Sequence, residues 1–165
     1  MQLLRRVPAV HVRPAAAGDL DTVIAFNRAM AAETEQKTLD RATLAEGVRQ
    51  ALADPNRSLY FVAEVDGAVV GQTMVTVEWS DWRNGFFWWI QSVYVDPAFR
   101  GRGVFRSLHT YIRNEAGRRS DVCGLRLYVH RDNQRAMRAY QNLGMQETPY
   151  RLYQEDLRST LRKER

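Results

Sequence analysis

The sequence predicts an α/β (α+β) domain: a central mixed, mostly antiparallel sheet flanked by about four helices, in the order βααβββαβαβ. Three observations carry this. Apolar residues recur at helical spacing in the first third of the chain, the period changes to that of strands from Leu59, and helical and strand-like segments then alternate to about Tyr153. Residues 10–154 read as one domain and residues 155–165 as a charged C-terminal tail.

Residues 10–13 form a short strand-like segment ended by Pro14. Asp19 then offers an N-cap to a helix with Leu20, Val23, Ile24, Asn27, Met30 and Ala31 at helical spacing. A polar connector, Glu33-Thr34-Glu35-Gln36-Lys37, precedes Asp40, which can cap a second helix. Leu39 and Leu44 are spaced as a hydrophobic staple, Leu44, Val48 and Leu52 share a face, and Asp54-Pro55-Asn56 stops the helix. Residues 59–65 and 68–78 are rich in β-branched and aromatic residues and flank Asp66-Gly67, a dipeptide that supplies positive φ for a tight hairpin. Residues 86–95 form a third long strand, ended by Asp96-Pro97, whose start (Phe86, Phe87, Trp88, Trp89, Ile90) reads as buried on both faces. Val104, Leu108, Tyr111 and Ile112 mark a third helix, residues 125–129 a buried strand, residues 136–143 a fourth helix, and residues 145–153 a last strand.

Composition bounds the function classes. The 165 residues suffice for one sizeable core, and 45% hydrophobic residues with 10 Gly and 5 Pro exclude collagen-like or disordered character. A single cysteine, Cys123, cannot form an intramolecular disulfide, and three scattered histidines (His11, His109, His130) do not make a zinc site, so no metal is expected. No apolar run reaches the roughly 20 residues of a membrane helix, and no signal-peptide apolar region follows residues 1–6, so a cytoplasmic location is expected. The net charge of +5 suggests an anionic partner, but 22 of the 24 cationic residues are Arg. A compositional bias explains that as well as nucleic-acid binding does, and no aromatic-basic motif of a nucleic-acid module is present.

Chemistry concentrates in two stretches. In Val93-Tyr94-Val95-Asp96-Pro97-Ala98-Phe99-Arg100-Gly101-Arg102-Gly103-Val104-Phe105 a strand runs into a basic, glycine-containing loop that opens a helix. First-turn N–H groups lack intrahelical partners and the helix dipole favours an anion there, so such a loop can hold phosphate. Arg100, Arg102 and Arg106 add charge-assisted donors. Neither a Walker loop nor G-x-G-x-x-G is met, since Arg106 stands where the third glycine would be. The second stretch, Asn133 to Met145, is a helix with Asn133 as N-cap, Ala136, Tyr140 and Leu143 on one side, and Gly144 as C-terminal cap.

Together the two stretches resemble the Gcn5-related N-acetyltransferase (GNAT) superfamily, whose members move an acetyl group from acetyl-CoA to an amine. The phosphate-loop pattern Q/R-x-x-G-x-G/A is met at Arg100 and Gly103, with Phe105 in the final small position. The pattern N-x-x-A-x-x-x-Y-x-x-x-G plus an apolar residue is met at Asn133, Ala136, Tyr140, Gly144 and Met145. The resemblance implies that Val93, Tyr94 and Val95 line the pantetheine arm. It places pyrophosphate on the loop Arg100, Gly101, Arg102, Gly103, Val104, Phe105 and Arg106, with Phe105 contributing its N–H while its ring packs elsewhere. Asn133 matches a residue that bonds pantetheine and Tyr140 one whose hydroxyl lies near the thioester sulfur.

Acetyl transfer to an amine needs a base, carbonyl polarisation and a proton for the leaving thiolate. The Val95 N–H is a candidate polariser, and Tyr140, of ordinary pKa about 10, can protonate a thiolate of about 8.5. Relatives that acetylate protein N-termini carry Glu where Tyr128 stands, and Gln91 and Ser92 are not bases. Glu33 or Glu78 is the candidate base, with Glu35 and Asp81 beside them, and each of the four reads first as a solvated surface charge. Trp79, Trp82 and Phe86 could wall an acceptor, while core packing accounts equally for Trp88 and Trp89. The implied activity is N-acetylation of a small-molecule primary amine, an exposed lysine or an N-terminus. The alternatives are a CoA-binding module without transferase activity and a nucleic-acid binder resting on charge alone. Relatives are often dimers, and nothing in the sequence decides for or against a homodimer here.

Overall fold

The computed structural model describes residues 9–157; the leading residues 1–6 and the tail from residue 158 lie outside them. The described chain falls into two compact units, one through Tyr128 and one from Val129.

The first unit carries a five-stranded sheet in the order β1-β2-β3-β4-β5: β1 (His11–Pro14), β2 (Leu59–Val65), β3 (Ala68–Ser80), β4 (Gly85–Val95) and β5 (Val122–Arg126). The first four strands are antiparallel and β5 joins β4 in parallel. Asp66 and Gly67 take φ of 51° and 80°, the pair of positive angles that the β2–β3 turn requires. Helices α1 (Leu20–Glu35) and α2 (Arg41–Ala53) cover one face, where Val23, Val48, Ala51, Tyr60 and Val62 form a core. Helix α3 (Val104–Gly117) covers the other. Its stripe Val104, Leu108, Ile112 and Ala116, four residues apart, is buried against Phe61, Ala63, Val75, Trp88 and Ile90.

The helix ends follow their local chemistry, with one difference. Asp40 caps α2 by accepting the Thr43 N–H at 2.8 Å, whereas the Asp19 carboxylate turns back to the Ala16 N–H (2.7 Å) and to Arg13 (2.8 and 3.0 Å). Arg13 also reaches Glu64 on β2 at 2.6 Å, so it ties β1, β2 and the start of α1 together, and it holds the Asp19 carboxyl below its ordinary range.

Two strand expectations are corrected. The strand expected over residues 125–129 is found at Val122–Arg126: its ladder with β4 ends at Trp89↔Arg126, beyond which Leu127 and Tyr128 add no further rung. The apolar run continues, but a run without a neighbouring strand makes no ladder. The last strand, expected over residues 145–153, is absent among the described residues. Pro149 removes a ladder donor there, and Tyr150, Leu152 and Tyr153 stand exposed.

The second unit is built on α4 (Gln134–Asn142). Asn133 Oδ1 accepts the Ala136 N–H at 3.1 Å as the N-cap. At the other end Gly144, with φ 86°, gives its N–H to Gln141 C=O at 2.9 Å, and Met145 N–H reaches Tyr140 C=O at 3.1 Å. This is the paired closure of a Schellman motif, as the Leu143-Gly144-Met145 sequence leads one to expect.

Candidate active site

Strand β4 has two different halves. From Phe86 to Trp89 it is paired with β3 on one side and β5 on the other; from Ile90 to Val95 it continues for six residues with β3 alone. The edge of β4 that faces β5 thus has no ladder rung beyond Trp89↔Arg126. The register against β3 shifts between Gln72↔Tyr94 and Met74↔Gln91, which places one extra residue in β4, and Ser92 adopts φ 51° there. A left-handed serine costs about 1–2 kcal/mol, so its surroundings must hold it. The Ser92 carbonyl accepts the Gln72 amide at 3.3 Å and the Gln91 carbonyl accepts the Thr73 hydroxyl at 3.2 Å. On β2, the Tyr60 hydroxyl accepts from Asn27 at 3.1 Å and is pushed up in pKa by burial. The bulge at Ser92 was not legible in the sequence, because its partners come from β3, up to 20 residues away.

Past β4, Asp96 caps a short turn over Pro97–Phe99, and the chain enters α3 through Gly101 (φ 76°) and Gly103 (φ 82°). Both glycines sit in open space, so it is backbone conformation rather than crowding that requires them. The N–H groups of Val104, Phe105 and Arg106 form the first turn of α3, since the intrahelical ladder begins with Ser107 N–H on Gly103 C=O at 2.9 Å. The Phe105 ring turns along the helix toward His109, 6.2 Å between centroids. Arg102 stacks its guanidinium 5.5 Å from the Phe99 ring.

Arg100 is used as a brace. Its Nε donates to Val95 C=O at 2.8 Å, its second arm pairs with Glu33 at 2.7 Å, and its guanidinium lies 5.5 Å from the Tyr94 ring. Tyr94 donates to the other Glu33 oxygen at 3.2 Å and packs on Phe26 of α1. Burial first, and then the Glu33 charge, push the Tyr94 hydroxyl up in pKa. Glu33, Tyr94, Val95 and Arg100 thus form one cluster at the end of β4. Glu78 sits apart on β3, opposite Phe87 and bonded to both residues of the last β4–β5 rung. It accepts from Trp89 Nε1 at 2.6 Å and from Arg126 at 2.8 Å, while Arg126 lies 3.6 Å from the Phe87 ring and Trp89 faces Tyr128. Each candidate base therefore has both carboxylate oxygens engaged. Trp79 meets Phe86 edge-on at 5.0 Å, Trp82 is exposed, and Trp88 is buried in the α3-side core. In the second unit, burial pushes the Tyr140 hydroxyl up in pKa, so it keeps its proton at neutral pH.

A mixed sheet whose parallel ladder ends halfway along β4, followed by a glycine-bent loop at a helix N-terminus, presents unpaired backbone groups of the kind that can meet an extended ligand with a phosphate end. Comparison with known proteins names the class: the model of the acetyltransferase (GNAT) family matches residues 24–145, and the chain belongs to that family. The chain is similar to the crystal structure of a possible acetyltransferase from Clostridium difficile 630, with 44% identity, a TM-score of 0.84, and coverage of 90% of this chain and 97% of that one. It shares its fold with a predicted acetyltransferase with acetyl-CoA from Clostridium acetobutylicum (18% identity, TM-score 0.72, 89% and 96% covered). The same holds for a ribosomal-protein-alanine N-acetyltransferase from Brucella melitensis biovar Abortus 2308 (18%, 0.73, 90% and 99%). No protein of curated function matches the chain. Among the described residues no helix is long and apolar enough to cross a membrane, and no group of three or more His, Cys, Asp or Glu side chains could hold a metal ion.

Proposed function

We propose that residues 10–154 act as one cytoplasmic acetyl-CoA-dependent N-acetyltransferase domain, acting on a primary amine of a small molecule, an exposed lysine or an N-terminus. The observation that carries this reading is the six-residue stretch of β4 without a β5 partner, leading directly into the loop bent at Gly101 and Gly103. The pieces fit the co-substrate: an open strand edge for the amide-bearing pantetheine arm, and first-turn amides of Val104, Phe105 and Arg106 for pyrophosphate. Arg102 and Arg106 add charge at the loop, while Arg100 keeps the end of β4 in place. On the family pattern, Asn133 bonds the arm through its Nδ2, since Oδ1 is spent on the cap.

Bound acetyl-CoA would supply an acetyl thioester, from which the amine nitrogen takes the acetyl group as the carbon–sulfur bond breaks. The chain's part is proton management. A backbone N–H of β4 polarises the carbonyl, a carboxylate takes the first proton of the arriving ammonium, Tyr140 gives its hydroxyl proton to the departing sulfur, and the second nitrogen proton, released as the amide forms, restores Tyr140. Of the two carboxylates we assign the base to Glu33, because its partner Tyr94 stands on the unpaired half of β4, whereas the partners of Glu78 close the paired half. Exchanging Tyr140 for Phe should lower kcat by about 10²- to 10⁴-fold, the range of a general-acid contribution, with acetyl-CoA affinity by calorimetry unchanged. An undiminished kcat would remove Tyr140 from the chemistry.

The engagement of both oxygens in Glu33 and in Glu78 favours a second reading, a CoA-binding domain without transferase activity. Thiol release from acetyl-CoA across a panel of amines separates the two: CoA binding with no release above background for any amine supports the binding domain.

A further inference from the structure

We infer that Gln72 is a positioning residue: by holding the Ser92 carbonyl it turns the Val93 N–H into the open side of β4, where that N–H polarises the thioester carbonyl. This rests on the acetyl-CoA reading above and deepens it, replacing Val95 with Val93 as the carbonyl donor. Gln72 lies on β3 opposite Tyr94 and is wholly buried. Its amide nitrogen donates to the Ser92 carbonyl at 3.3 Å, while its Oε1 has no hydrogen-bond partner among the described residues. Burying an amide with an unsatisfied oxygen is costly, and an apolar side chain of similar shape would avoid that cost. The side chain is thus a poor choice for stability alone, and its one hydrogen bond goes to the residue held in the left-handed conformation.

The direction of the next N–H follows from peptide geometry. No peptide bond is cis, so the Val93 N–H points opposite to the Ser92 carbonyl, away from Gln72. Strand alternation gives the same side independently. Asp96 N–H bonds Val70 C=O of β3 at 2.9 Å, so Val95 and Val93, one and three residues earlier, address the other edge. On that edge the ladder with β5 has already ended at Trp89↔Arg126. The Val93 N–H shares its peptide with the Ser92 carbonyl that Gln72 holds, whereas the Arg100 bond goes to the Val95 carbonyl, which lies in the peptide after the Val95 N–H. The left-handed Ser92 and the Gln72 bond to its carbonyl set the direction of the Val93 N–H before any ligand arrives.

The test reads the carbonyl itself. Infrared difference spectra of acetyl-CoA carrying carbon-13 at the acetyl carbonyl are compared for the wild-type protein, Gln72→Met and Thr73→Val, with affinities from calorimetry. We expect the band to move to lower wavenumber on binding to the wild type. Gln72→Met should lose at least about half of that movement with less than about a threefold change in Kd. Thr73→Val, which removes only the donor to the neighbouring Gln91 carbonyl, should keep it. The wild type alone supplies a second measurement should Gln72→Met fail to fold: the Val93 amide proton resonance should differ between acetyl-CoA and CoA complexes more than that of Val95. Full retention of the band movement in Gln72→Met, its equal loss in Thr73→Val, or a Val93 resonance indifferent to the acetyl group would each overturn the assignment and leave acetyl-CoA binding standing. A wild-type protein that does not bind acetyl-CoA would overturn the functional reading itself.

Discussion

The two halves of β4 are made from similar residues and do different work. Phe86 to Trp89 is bracketed by strands, and its side chains carry the load: Trp88 is buried under α3, and Phe87 sits so close to β5 that a Cβ on Gly124 would come within 2.7 Å of the ring. Val93 to Val95 has a strand on one side only, and there the backbone is what matters, turned outward by a bulge at Ser92 and braced by Gln72 and Arg100. On the proposed function one strand is scaffold at its start and binding edge at its end, the boundary being the last rung at Trp89↔Arg126.

Substitutions in the two halves should separate stability from ligand binding. The largest effect belongs to the paired half: Trp88→Ala should cost about 3–5 kcal/mol in denaturant unfolding, as for other buried aromatic truncations, and a loss under 1 kcal/mol would deny Trp88 its core role. Next, Gly103→Val asks a β-branched residue to adopt φ 82° in the loop beyond the unpaired half. Acetyl-CoA affinity by calorimetry should fall by about 10- to 100-fold; unchanged affinity would remove the loop from the binding site. Gly124→Ala should cost about 1–3 kcal/mol through the clash with Phe87 while leaving acetyl-CoA affinity intact, so a combined loss would show that the halves are not separable.

The smallest effect is a pH dependence beside the loop. His109 is buried on α3 with its Nε2 unpartnered among the described residues, and burial, then the Arg113 charge, lower its pKa. The unfolded chain takes up a proton near the ordinary value of about 6.5 that the folded chain resists. Stability is therefore full above that pH and declines as pH falls from it toward the depressed folded value. His109→Met should flatten this part of the curve in thermal melts between neutral pH and pH 5; an unaltered slope would place its origin elsewhere.

Local chemistry made much of this legible in the sequence. Asp66-Gly67, the Asp40 and Asn133 caps, the Gly144 closure and the four-residue stripe of α3 all depend on residues within a few positions of one another, and each appears where the pattern puts it. The misses are non-local. Residues 125–129 and 145–153 are apolar enough for strands, but a strand needs a partner, which a linear pattern does not contain. Gln72 and Ser92, 20 positions apart, meet only because β3 and β4 pair with a one-residue offset. Arg100 was legible as a cation at the loop but not as the brace between Glu33 and Val95, a contact that spans 67 residues on one side and five on the other.

Hydrogen exchange read by mass spectrometry, with and without acetyl-CoA, tests the division of β4 most directly. Protection should rise at residues 91–95 and 101–106 on adding acetyl-CoA and stay unchanged at residues 86–89. Protection that rises equally along all of β4, or not at all at residues 91–95 while acetyl-CoA is demonstrably bound, would contradict the account.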